Sequence, residues 1–257
     1  MNNKQKHRGF SLTEILIAVG ILAVGMIFIA GVFPAGIYLT TIATERTIAA
    51  VAADEAFAKI RIYAEGDPTK PIDYGALAYN ALAYDFNNIF PAIKDANCNE
   101  FLYPSTGTDD SEKQYCWSAL FRRADLTDRL VQITVFVSRR VSPNLEYPDP
   151  NGSGTVSWPR PFKVNVDDIA GHKNELKIRD SDKTTFINDG YTIVDNETGR
   201  IYRVLERYKD PDNTILLDRD WDDSPPGGNP DKVWVVPPPA GGGRYPCIAV
   251  YQKVISF

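Results

Sequence analysis

The sequence predicts an α+β fold: a long N-terminal helix packed on an antiparallel β-sheet, with a β-rich C-terminal extension or module. Three observations carry this expectation. No residue from Ile15 to Leu39 is charged. An alanine-rich stretch comes next, with its apolar residues gathered near one helical face as far as about Ala64. From Tyr115 onward, short runs of alternating residues are separated by turns rich in Gly, Pro and Asn.

A chain of 257 residues is long enough to bury a core as one large domain or two small ones. Its net charge of -5 gives no reason to expect nucleic-acid binding by the bulk of the protein. The charge is unevenly placed. Residues 1–9 form a leader that carries Lys4, Lys6 and Arg8 and no acid. By the positive-inside rule, such a leader before an apolar run stays in the cytoplasm and the body lies on the other side of the membrane.

At ~1.5 Å per residue, the uncharged run from Ile15 to Leu39 spans ~37 Å, more than the ~30 Å hydrocarbon core of a bilayer. It is too long for the apolar core of a secretory signal peptide, and the small residue Gly9 precedes it rather than coming after it. Glu14 stands at its threshold. An ionised carboxylate within a membrane helix costs about 3 kcal/mol on insertion scales unless it is paired or near the interface. A first-turn position lessens that cost through the helix dipole, and a positive N-terminus, its own or a neighbour's, would neutralise the charge.

The segment "RGFSLTEILIAVGILAVG" resembles the processing and methylation signal of type IV pilins and type II secretion pseudopilins. The matching features are Arg8-Gly9, then Phe10, then Glu14 and the unbroken apolar run, over roughly residues 4–39. The resemblance implies that a prepilin peptidase cuts between Gly9 and Phe10 on the cytoplasmic side and methylates the new amine of Phe10. Glycine at position 9 lets a protease approach the backbone closely. The resemblance also implies that Glu14 pairs with the Phe10 amine of a neighbouring subunit. The implied partners are the peptidase, other pilin or pseudopilin subunits in a helical filament, an inner-membrane assembly platform and the lipid bilayer. Many relatives have a proline near the middle of the membrane helix. Here the first is Pro34, slightly later, and a kink or locally melted turn is expected near residues 30–36.

The helix should run over residues 10–64, spanning the membrane at about 15–39 and amphipathic thereafter. Ile42, Ala49, Ala52, Ala56, Ile60 and Tyr63 fall near one face, and "EGDP" stops it. Residues 65–145 read as a pilin-like α+β body. In it, "DYGALAYNALAYDFNNIF" suits a short helix or packed loop, and 115–123 and 130–139 suit a hairpin of two strands. Residues 146–161, rich in Pro, Gly and Ser, read as a linker or loop. Residues 162–257 read as a small β-barrel or sandwich, either extending the sheet or standing alone. Strands are expected at 185–188, 190–195, 200–208, 213–217, 233–236 and 247–256.

Chemistry-bearing constellations are sparse. With the body outside the cytoplasm, Cys98 and Cys116 are a candidate disulfide contributing ~3 kcal/mol. Cys247 can replace either partner, and buried free thiols are the alternative. Asp218, Asp220 and Asp222 offer oxygen ligands for calcium, as in some pseudopilins, but their spacing lacks the EF-hand pattern and solvated loop acids are the plainer reading. No other cofactor is expected. His172 has no GxSxG or HExxH companion, and "GGGR" lacks the P-loop lysine, so no catalytic residue is expected. The functional expectation is a structural filament subunit at the inner membrane, single-pass with a cytoplasmic N-terminus, periplasmic or at the cell surface after assembly. Its large body favours a minor or specialised subunit. The rival is a pilus-borne adhesin or DNA-uptake subunit acting through the C-terminal β-region. An envelope enzyme on a pilin-type anchor is a third, weaker reading.

Overall fold

Leu12 to Glu65 form one helix, α1, because nothing in this stretch stops it before the Gly66-Asp67-Pro68 sequence. The structure is a computed structural model that describes residues 11–65, 82, 101–105, 113–124, 129–141, 144–150, 154–208, 213–221 and 231–257. The expected helix or packed loop at 73–93 lies outside these, apart from Leu82. The chain divides into two units, one up to Thr47 and one from Ile48 onward.

The first unit is helical throughout its described part beyond Ser11. Its large apolar side chains are exposed, from Leu12 at 77% to Leu39 at 64%. The helix passes through Pro34 without a break, so the locally melted turn expected at residues 30–36 is absent here. Proline still removes one N–H, leaving the Ala30 carbonyl without its usual helical donor. Past the apolar run, Thr40, Thr41, Thr44 and Thr47 each donate a hydroxyl hydrogen bond to the carbonyl four residues earlier, at 2.8–3.0 Å. Each hydroxyl is thereby satisfied on its own helix.

In the second unit, alanine decides how α1 packs. Ala49, Ala52, Ala53 and Ala56 are at most 1% exposed and, with Phe57 and Ile60, lie on a four-stranded sheet. The sheet has the order β1 (Leu102–Tyr103), β2 (Tyr115–Arg123), β3 (Leu130–Arg139), β12 (Cys247–Ser256), all neighbours antiparallel. One face, with Trp117, Ala119, Phe121, Ile133 and Val135, meets the helix. The opposite face, with Leu120 and Phe136, is covered as well. This is why the central strands β2 and β3 are buried on consecutive residues despite their alternating sequence.

The cover on that second face is a closed barrel with the order β10-β7-β6-β11-β8-β9. Its strands are β6 (Phe162–Ile169), β7 (His172–Ile178), β8 (Thr192–Asp195), β9 (Ile201–Tyr208), β10 (Thr214–Leu217) and β11 (Asp231–Val235). A short ribbon of β4 (Tyr147–Pro148) and β5 (Thr155–Val156) precedes it. Its interior is filled by Val164, Val166, Leu176, Ile193, Tyr202, Val204, Ile215 and Val233. The barrel is an insertion: the last strand, β12, leaves the C-terminal region and pairs with β3.

Residues 185–188 are not a strand. A 3-10 turn occupies Ser181–Phe186, because Asp180 binds both Lys183, at 2.8 Å, and Asn165. Phe186 then packs edge-on against Phe162 at 5.2 Å. Strands β6 and β7 had no counterpart in the expected set.

Because Ala56 is wholly buried between helix and sheet, Ala56→Leu should overpack the contact and cost about 1–3 kcal/mol. Ala58→Leu, at an exposed position on the same helix, should change stability by less than about 0.5 kcal/mol. Denaturant midpoints of the detergent-solubilised chain measure both.

Candidate functional site: the N-terminal turn of the apolar helix

The start of α1 is organised by Ser11, whose carbonyl accepts from the backbone N–H groups of Glu14 at 3.1 Å and Ile15 at 3.2 Å. Ser11 thus occupies the N-cap, and its hydroxyl lies 2.7 Å from that of Thr13. Glu14 is then the third helical residue, within the turn whose free N–H groups carry the positive end of the helix dipole. Its side chain is exposed and forms no ion pair among the described residues. Gly9 and Phe10 lie outside the described residues. Beyond Glu14 the helix presents an uncovered apolar surface long enough to cross a bilayer.

Residues 4–30 match the prokaryotic N-terminal methylation motif. The chain carries a prepilin-type signal. The matched span takes in Gly9, Phe10 and Glu14, and it ends inside α1. Such a signal is similar to the one carried by type IV pilin-like and pseudopilin substrates of a prepilin peptidase. No curated protein and no solved structure matches the chain.

The other candidate residues are not brought together with this signal. Asp218 accepts from the Arg203 N–H at 3.0 Å and pairs with Arg219 at 3.3 Å. Asp220 is exposed, and Asp222 lies outside the described residues. Among the described residues, no group of three or more His, Cys, Asp or Glu is placed to hold a metal. Cys116 and Cys247 are buried free thiols that burial pushes up to about 12. Their strands flank β3, and both residues face Ser138. Cys98 lies outside the described residues.

One cluster escaped the sequence reading. His172 sits at the tip of the β6–β7 hairpin, whose turn needs Gly171 at φ 86. It shares a shallow pocket with Asp168, Lys173, Glu175 and Trp221, and its Nδ1 lies 3.4 Å from Glu175. Beside it, Asp231 accepts from the Trp221 indole at 3.3 Å. Burial, and then the charge of Asp168, raise the Asp231 carboxyl to about 6. Asp168 and Asp231 are far apart in sequence, and only the pairing of β11 with β6 makes them neighbours.

A raised carboxyl favours the folded state while it holds its proton. Stability should therefore fall as pH rises from about 4 to about 6 and stay level above that, since the ordinary value is 3.8 and the folded one about 6. Asp231→Asn keeps an acceptor for Trp221 and should remove most of this fall. At pH 7 it should gain about 1 kcal/mol, a figure discounted for a carboxyl partly open to solvent, and nothing at pH 3. Thermal unfolding across that range checks it.

Proposed function

We propose that this protein is a structural subunit of a type IV pilus-like or type II secretion pseudopilus filament, a minor or specialised one rather than the bulk subunit. The observation that carries the reading is the methylation motif at residues 4–30 continuing into a helix whose apolar surface is uncovered. Hydrolysis of the Gly9–Phe10 bond frees the amine of Phe10, which is then methylated. The basic leader stays cytoplasmic, α1 holds the chain in the inner membrane and the body lies outside. On assembly, the apolar surface leaves lipid for neighbouring helices, and Glu14 meets the Phe10 amine of an adjacent subunit. An ion pair in so dry a setting adds little net stability, but removing one partner strands a buried charge at a cost of about 3–5 kcal/mol. The pair therefore acts as a register check.

A second reading, an adhesin or DNA-uptake subunit, draws support from the closed barrel, which a helix-and-sheet filament subunit does not need. The acidic balance of the chain weighs against DNA.

Expressed with its assembly machinery, the Glu14→Ala chain should be cut normally but reach sedimented filaments at least about tenfold less than the parent. Gly9→Val should leave the leader attached. Normal incorporation of the Glu14→Ala chain would remove the docking role, and normal cutting of the Gly9→Val chain would remove the processing site.

A further inference from the structure

Among the described residues the barrel and the sheet layer meet through an apolar contact and a polar one, with Leu82 buried in the first and its N–H donating to the Asn196 carbonyl at 2.8 Å. The first is apolar: Leu120 and Phe136 of the sheet pack against Val194, Trp234 and Val236 of the barrel side. The second is polar and local. The turn after β8, residues 195–199, is held in shape by its own Asp195, whose carboxylate accepts from the N–H groups of Glu197 at 3.1 Å and Thr198 at 2.9 Å. Asn196 anchors the turn to the barrel: its N–H donates to the Lys232 carbonyl at 2.9 Å, and its side-chain oxygen accepts from the Trp234 indole at 3.0 Å. A turn made rigid in this way presents two backbone carbonyls to the sheet.

Both carbonyls are taken by sheet side chains. Arg122 of β2 donates to the Glu197 carbonyl at 2.5 Å while a second of its nitrogens donates to Gln132 of β3. Gln252 of β12 donates to the Gly199 carbonyl and to Thr134 of β3 at 2.9 Å. Gly199 fits for two reasons: its φ is 72, and a β-carbon there would stand 2.8 Å from the Gln132 side-chain nitrogen.

The position of these bonds matters more than their number. The chain connections between sheet and barrel leave the sheet at its other end, where β3 finishes at Arg139 and β12 begins at Cys247. There the Arg139 N–H donates to the Pro246 carbonyl at 2.9 Å. The return connection reads Val-Pro-Pro-Pro-Ala-Gly-Gly-Gly-Arg-Tyr-Pro, with positive φ at Gly241, Gly242 and Gly243. At ~3.3 Å per strand residue, Thr134 and Gln132 lie ~13 and ~20 Å along β3 from Ser138, the partner of Cys247. Covalent attachment is at one end, and the polar contact is at the far end.

We propose that the barrel is a hinged head, attached through the Cys247 end of the sheet and latched shut by Arg122 and Gln252 on the 195–199 turn. Opening the latch lets the barrel swing from the sheet as a folded unit, because its own core closes within its six strands. The helix-facing core keeps its packing, since it uses the other face of β2 and β3. The layer carrying α1 can then stay in place while the barrel yields to a load or a partner. This goes beyond the filament reading and does not depend on it.

The test uses the full chain in detergent with a thiol introduced by Val250→Cys, a part-buried position on the covered face. Labelling is read peptide by peptide, so the native cysteines are resolved separately. Adding Arg122→Ala and Gln252→Ala should raise the labelling rate at position 250 by about tenfold or more. Hydrogen exchange over β6 and β9 should stay at the parent level. Arg122→Lys in place of Arg122→Ala, which keeps a donor for the Glu197 carbonyl, should restore most of the protection. Where the double variant does not accumulate, Gln252→Ala alone carries the test with a smaller rise. Unchanged labelling overturns the latch. A rise that comes only with lost exchange protection in β6 and β9 overturns the hinged head, because the barrel would then be unfolding rather than swinging.

Discussion

An apolar helix surface left exposed among the described residues is the constraint on which the rest depends. From Leu12 to Leu39 the large side chains of α1 are exposed. Each such side chain left in water forgoes about 1.5–3 kcal/mol of burial. Over that length the exposed apolar surface is the kind that a bilayer or neighbouring helices would bury. Glu14, in the first turn of the same surface, is the one charge that both environments have to accommodate. The methylation motif over residues 4–30 places the start of this helix within a recognised processing signal.

The second unit solves a different burial problem. Alanines at 49, 52, 53 and 56 bring α1 close to the sheet, and larger side chains at Phe57 and Ile60 fill the edge of the contact. Covering one face of an antiparallel sheet is enough for stability. Here the second face is apolar too, and the barrel is what makes that tolerable. Without it, Leu120 and Phe136 would form an exposed apolar patch on the two central strands. Two polar side chains of the sheet, Arg122 and Gln252, donate to carbonyls of the 195–199 turn, so their donors are satisfied where the two layers meet.

Much of the fold was legible because the pattern came from one residue and its near neighbours. The long helix, the β2–β3 hairpin and the strands at 201–208 and 214–217 arise from local periodicity and from turns such as "NETGR". The β6–β7 hairpin was not legible: its turn is Ala170-Gly171 rather than the Asn-Gly or Asp-Gly that marks a tight hairpin, and β7 reads as polar. Phe186 and Ile187 look like strand residues, but Asp180 captures the preceding turn. Barrel closure and the return of β12 to β3 depend on pairings between distant segments, which periodicity does not encode. The signal at Gly9, Phe10 and Glu14 was legible because it is a spacing within one short stretch. The Asp168–Asp231 pair and the latch were not, since each joins residues that only the finished topology brings together.

The measurement that reaches the central claim most directly is the intact mass of the protein purified from its own cells, with its N-terminal peptide sequenced. The account predicts a chain beginning at Phe10 with one methyl group on its amine. A chain that still carries residues 1–9, in cells that possess the processing enzyme, would contradict it.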